Sequence, residues 1–195
     1  LDDRSMIEHV WQRARDSGAE SVTIATDSPR IIDVAKDFGA DAVMTLADHQ
    51  SGTDRVAEVV AARGWENELV VNVQGDEPFI PLGAIQQVVG LLRAESAADI
   101  ATLSTPFDDA SQWKDPNCVK VVTDRNGKAL LFSRAALPFA RSGGVSIMAQ
   151  RHVGIYGYRS SSLERLVAVP PCAIELAESL EQLLALLIGQ SIVVA

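Results

Sequence analysis

In this 195-residue chain the residues best placed to do chemistry are Gln74-Gly75-Asp76-Glu77-Pro78, which directly follow the apolar run Leu69-Val70-Val71-Asn72-Val73. A short β-branched run without polar alternation reads as a strand buried on both faces, the kind found inside a parallel sheet covered by helices. In such sheets ligands bind beyond the carboxyl ends of the strands. Gly75 is expected to let the backbone turn there and present Asp76 to the crevice, although a Gly-Asp pair taken alone is more simply a polar turn. Arg55 is the second notable residue. A cation in the first turn of a helix opposes the helix dipole by roughly a few tenths of a kcal/mol, so an acceptor should compensate it, and Asp54 and Glu58 are the near candidates. His49 has no second His or Cys at metal-ligand spacing. No Ser/His/Asp or Cys/His arrangement suited to covalent catalysis is visible.

The elements that must position these residues follow from local signals. Ser5 and Glu8 have the spacing of a capping box, and Met6, Ile7, Val10, Trp11 and Ala14 then recur on one helical face until Gly18. Residues 21–26 read as a strand, Ser28-Pro29 opens a helix that Gly39 ends, and residues 41–44 form the next strand. The loop from Ala47 to Thr53 leads into a helix running to about Arg63. Beyond the organising strand, an amphipathic helix starts at Pro81 or Leu82, and residues 99–105 return as a strand. This alternation is that of a doubly wound α/β domain. Residues 118–124 and 128–133 flank Asp124-Arg125-Asn126-Gly127, a hairpin signal, so an antiparallel excursion is expected, carrying dimer contacts or half of a substrate site. Residues 151–159 form a further strand, 160–167 a short helix, 173–188 one longer helix, and 191–195 a last strand.

Composition narrows the partners. Hydrophobic residues at 47% and charged residues at 22% are ordinary for a globular protein. A net charge of -9 argues against a nucleic-acid polymer or an anionic membrane surface, both of which need a basic footprint. A small anionic substrate remains compatible, because local arginines and a bound cation can focus positive potential. Cys118 and Cys172 lack metal-ligand spacing and read as free thiols of a reducing cytoplasm. The apolar residues 180–188 carry Glu181 and Gln182 and are too few to span a bilayer. No signal peptide is visible, and an opening on Leu1 reads as a fragment.

Six blocks in order closely resemble the 3-deoxy-manno-octulosonate (KDO) cytidylyltransferase family: Asp48-His49-Gln50-Ser51-Gly52-Thr53-Asp54-Arg55; Asn72-Val73-Gln74-Gly75-Asp76-Glu77-Pro78; Pro116-Asn117 with Val119-Lys120-Val121-Val122; Phe132-Ser133-Arg134; His152 with Gly154-Ile155-Tyr156-Gly157-Tyr158-Arg159; and Leu180-Glu181-Gln182-Leu183. The resemblance implies a single nucleotidyltransferase domain over residues 1–195. It would be a three-layer, doubly wound, mostly parallel α/β sheet of the nucleotide-diphosphosugar transferase type, with residues 117–159 as the hairpin, dimerisation and sugar-site subregion. It implies transfer of CMP from CTP to the anomeric hydroxyl of KDO with release of pyrophosphate, for lipopolysaccharide biosynthesis, by a cytoplasmic homodimer. Displacement at phosphorus needs charge neutralisation and in-line positioning more than a covalent nucleophile.

By the same resemblance Asp76 would be the catalytic metal ligand, holding Mg²⁺, with Glu77 supporting the turn. Ser51, Gly52 and Arg55 would meet the nucleotide, and Gln74, Arg141, His152, Tyr156, Glu181 and Gln182 the sugar acid. Read without the family, Tyr156 is equally a core residue, Glu181-Gln182 a solvated helix face and His152 an exposed strand end. The family's opening strand with its phosphate loop, and its closing Asp-containing metal segment, are not found between Leu1 and Ala195, and Leu184 stands where an arginine commonly lies. Residues 21–26 and 69–73 are therefore not expected to pair with each other, and the short stretch 139–150 is expected to hide a break in the chain. The alternatives are a related cytidylyltransferase for another acid sugar, of the sialic acid type, and a non-catalytic fragment or dimerisation partner.

Overall fold

The computed structural model describes residues 4–107, 109–139, 141 and 150–195, so the expected break within 139–150 lies largely outside the described residues. The first half of the chain is built from local signals. Helix α1 (Met6–Asp16) starts where the Ser5 hydroxyl accepts the Glu8 N–H at 3.3 Å, and it buries Val10 and Trp11. Strands β1 (Thr23–Thr26) and β2 (Asp41–Met44) pair in parallel around α2 (Pro29–Asp37), whose proline occupies the first turn. Helix α3 (Gly52–Arg63) has a complete capping box between Ser51 and Asp54 and ends at Gly64. Strand β3 (Leu69–Asn72), helix α4 (Leu82–Ala94) and strand β4 (Ile100–Thr105) follow.

The second half returns through a short helix α5 (Ala110–Lys114) that hydrophobic periodicity did not reveal, because it is a single capped turn on Asp109. Strands β5 (Lys120–Thr123) and β6 (Ala129–Ser133) form the expected hairpin. Its turn places Gly127 at φ 79°, and the Asp124 carboxylate accepts the Asn126 and Lys128 amides, so the Asn-Gly pair forms a bulged turn and not the two-residue type. Strand β7 (Gln150–Arg159) leads to helices α6 (Ser160–Val167), α7 (Ala173–Glu178) and α8 (Gln182–Leu187), and β8 (Ile192–Val194) closes the order.

Strands β3, β4, β5 and β8 run one way, with β7 and β6 opposed. The neighbour of β3 is thus antiparallel β7 and not a parallel strand, and β7 lies between β3 and β4. As expected, β1 and β3 do not pair with each other: among the described residues β1 pairs only with β2, and β3 only with β7.

The alternation of β4 creates the three layers. Ile100 joins Leu163, Leu166, Leu183 and Phe132 in one cluster, while Ala101 and Leu103 join Ile85, Val88 and Leu92 of α4 in another. Each Leu, Ile, Val and Phe among them contributes about 1.5 to 3 kcal/mol on leaving water. The single helix expected over 173–188 is two helices, because Ser179 adopts φ 50° and turns the chain before Glu181. Left-handed backbone costs a non-glycine residue roughly 1 to 2 kcal/mol, so other groups must hold it.

Candidate active site

The start of α3 and the end of β3 meet. A Cβ on Gly52 would stand 3.7 Å from Gln74 Oε1 and 4.0 Å from Asn72 Nδ2, ordinary contact distances, so the α3 loop lies against the end of β3. The Ser51 hydroxyl lies 2.9 Å from Asp54 Oδ2 and 2.8 Å from Glu181 Oε1, and its one proton serves either carboxylate. Thr53 donates to Glu181 Oε2 at 2.6 Å. Residues 130 positions apart are joined here, the start of α3 to the start of α8. Burial raises the Glu181 pKa, while the Thr53 and Ser51 hydroxyls pull it back. Gln182, beside it, is buried at the first turn of α8.

Strand β7 carries the aromatic wall. Its register with β4 slips between Thr102 and Leu103, leaving Gly154 and Ile155 without partners there. Residues four apart on a regular strand stand about 13 Å from each other, yet the bulge brings the rings of His152 and Tyr156 to 5.3 Å. Phe132 meets the His152 ring edge-on at 5.1 Å, and His152 Nε2 lies 2.9 Å from Thr102 Oγ1. Burial lowers the His152 pKa to about 4, so the imidazole is neutral at neutral pH. Burial likewise raises the Tyr156 phenol well above its ordinary range. Tyr156 sits opposite Asn72 on β3, which ties this wall to the Gln74 turn.

The Asp76 turn is held by the Glu77 backbone N–H donating to Gln74 O at 3.1 Å. Gly75 does not use a left-handed conformation; it lies against Ile7 of α1. Asp76 is exposed and makes no hydrogen bond or ion pair among the described residues. No group of three metal-binding side chains exists among the described residues. A free carboxylate at a strand end nevertheless fits Mg²⁺, which takes one or two carboxylates and completes its shell with water and substrate oxygens.

Arg55 behaves differently from the expectation. Its guanidinium bonds Thr45 Oγ1, donates to Leu46 O at 3.2 Å and pairs with Asp27 at 3.2 Å, because the side chain reaches back to the end of β1 and not along its own helix. Glu58 instead meets His49, and that hydrogen bond holds the Glu58 carboxyl below its ordinary pKa. Arg141 is exposed in a turn and makes no polar contact among the described residues, so nothing there ties it to the cluster. A groove of about 720 Å³ between α3 and α6, lined by Trp65, Leu163, Val167 and Glu58, touches none of the expected site residues.

Sequence reasoning did not single out Thr53, Asn72 or Thr102, all buried polar residues adjoining the cluster. Thr53 and Asn72 lie inside the motif blocks, where a polar residue on an otherwise apolar face was the available signal. Lys120 is fully buried and donates to Asp115 O at 2.9 Å and Cys118 O at 2.7 Å; burial lowers its pKa.

A three-layer α/β domain with a capped helix start facing a carboxylate-bearing strand end is the architecture of a nucleotidyltransferase. The profile of the cytidylyltransferase family matches residues 1–192, which sets the class. The chain is 49% identical to the 3-deoxy-manno-octulosonate cytidylyltransferase of Pseudomonas fluorescens, over 98% of this chain and 79% of that protein. It is 47% identical to the enzyme of the same name from Thioalkalivibrio sulfidiphilus, over 98% and 80%. Among solved structures, a CMP:2-keto-3-deoxy-manno-octonic acid synthetase complexed with CTP superposes with a TM-score of 0.90 at 38% identity, over 97% of this chain and 78% of that one. The 4-diphosphocytidyl-2C-methyl-D-erythritol synthase of Anaerococcus prevotii, at 12% identity and TM-score 0.63 over 100% and 80%, shares the fold. The chain belongs to the family of 3-deoxy-manno-octulosonate cytidylyltransferases.

Proposed function

We propose that the protein transfers CMP from CTP to the anomeric hydroxyl of KDO. The hydroxyl oxygen forms a bond to the α-phosphorus and gives up its proton to solvent, the bond from the α-phosphorus to the α,β-bridging oxygen breaks, and pyrophosphate leaves. The observation that carries this reading is the junction of Ser51 with Glu181 at 2.8 Å, beside the Gly52–Gln74 approach. Contact between the loop read as the nucleotide's and the residues read as the sugar's is what direct transfer between two bound substrates requires. In this reading Ser51 and Gly52 meet the nucleotide, with Arg55 holding their loop to β1 or touching CTP itself. Gln74, His152, Tyr156, Glu181 and Gln182 receive the sugar, and Arg141 its carboxylate. Asp76 would hold Mg²⁺, which when bound supplies positive charge to the phosphates.

The reading extends to a cytoplasmic homodimer. Edge strand β6 exposes Leu130 (60%) and Leu131 (38%), and Phe139 beyond it is 87% exposed, which supports a dimer contact in this subregion. No described helix is long and apolar enough to cross a membrane. Pyrophosphate release with CTP and a panel of acid sugars tests the function. Turnover with KDO and not with a sialic acid is expected; preference for the sialic acid would replace KDO, and no turnover with any sugar would sink the catalytic reading.

A further inference from the structure

We propose that Arg134 and Glu178 are positioning residues that set the nucleotide loop and the sugar site together, by fixing the turn that delivers Glu181. The two residues form a reciprocal clamp between β6 and the end of α7. The Glu178 carboxylate accepts the Ser133 hydroxyl at 2.6 Å and the Arg134 backbone N–H at 2.8 Å. Arg134 in turn donates from Nε to Glu178 O at 2.6 Å and from its two terminal nitrogens to Pro116 O at 3.0 Å and Ser179 O at 3.4 Å. Each side chain thus grips the other's backbone, and one guanidinium ties three segments.

The residue gripped is the left-handed one. Ser179 has φ 50°, and the Leu180 N–H closes the helix end on Glu175 O at 3.2 Å. Two residues on, Glu181 bonds the hydroxyls of Ser51 and Thr53 at 2.8 and 2.6 Å. A relaxed α7 would continue helically through Ser179 and swing Glu181 off the start of α3. The same strand holds the other side of the site, because Phe132, two residues before Arg134, packs on His152. A planar fork is needed to reach three carbonyls at once, and a lysine has no such fork.

The kinetic arm of the test rests on the KDO cytidylyltransferase reading; the structural arm does not. In the full-length protein Arg134→Met should raise the KM for KDO at least tenfold. It should also speed amide hydrogen exchange at residues 51–54 and 181–184 at least tenfold without any substrate. Arg134→Lys should recover only a small part of either loss. Arg165→Met, which removes an ion pair with Asp99 and no contact to α7 or α8, should leave both readouts at wild type. Should Arg134→Met fail to fold, Glu178→Ala replaces it; it removes the acceptor of both the Ser133 hydroxyl and the Arg134 N–H and loosens the same turn. Unchanged exchange at 51–54 in the clamp variant would overturn the proposal, as would equal losses in Arg165→Met. Wild-type protein inactive on KDO would remove the function and leave the exchange result to decide the clamp.

Discussion

Gly157→Ala offers a test carried by geometry alone. Gly157 lies on β7 between the two tyrosines of the aromatic wall, and α4 presses directly on its backbone. An added Cβ would stand 2.4 Å from Val88 Cγ1 and 3.1 Å from Leu92 Cδ1. Carbon atoms are in favourable contact at ~3.5 to 4.0 Å, so the first overlap exceeds about 1 Å. Val88 cannot swing aside, because it is fully buried and a β-branched side chain in a helix has essentially one rotamer. Helix and strand must part, at about 1 to 3 kcal/mol for overpacking of this kind. For a chain of this size that is roughly 2 to 4 °C in melting temperature per kcal/mol. Because Tyr156 is adjacent, kcat/KM should fall with stability. Denaturant midpoints and steady-state kinetics measure both, and Val88→Ala in the same chain should restore part of each by vacating the overlap. Wild-type stability in Gly157→Ala, or no recovery in the double variant, would refute the reasoning.

Asp76→Asn should abolish turnover at saturating Mg²⁺ while leaving the melting temperature unchanged, since it removes charge without changing shape; retained activity would move the metal elsewhere. Arg55→Ala should raise the KM for CTP more than that for KDO. It should also loosen β1 against α3, because the Asp27 and Thr45 contacts go with it. Arg141→Lys keeps the charge and loses the fork, so a raised KDO KM is expected, and an unchanged value would release Arg141 from the sugar's carboxylate. His152 has a folded-state pKa depressed from 6.5 to about 4. The unfolded chain therefore takes up the proton first on acidification, and stability present above pH 6.5 is lost as pH falls toward 4. At ~1.36 kcal/mol per unit this amounts to about 3 kcal/mol, read as the difference in pH slope between wild type and His152→Asn in chemical denaturation; identical slopes would show that the imidazole is not buried neutral.

What the sequence determined by itself is whatever a few neighbouring residues encode. Ser5 before Glu8, Ser28-Pro29, Ser51 with Asp54, and glycines at 18, 39 and 64 satisfy or interrupt backbone groups within one turn, so they place α1, α2 and α3 without reference to the rest of the chain. The six motif blocks and their order were likewise legible, and they led to the family. The tertiary structure decided everything that depends on partners far along the chain. Periodicity over 173–188 is satisfied by one helix or two. Arg134, just beyond β6, donates to the Glu178 and Ser179 carbonyls at the left-handed turn that makes it two. Arg55 chose Asp27 over its own helix neighbours because β1 folds against α3. His152 and Tyr156 meet because β4 imposes a bulge on β7. Glu181, ambiguous as a surface residue, was joined to the start of α3 when burial withdrew it from water and two hydroxyls replaced that water. Local propensity costs or contributes about 1 kcal/mol per residue, and hydrogen bonds to a charge contribute about 1.5 to 3 kcal/mol each, so where the two compete the distant partner wins.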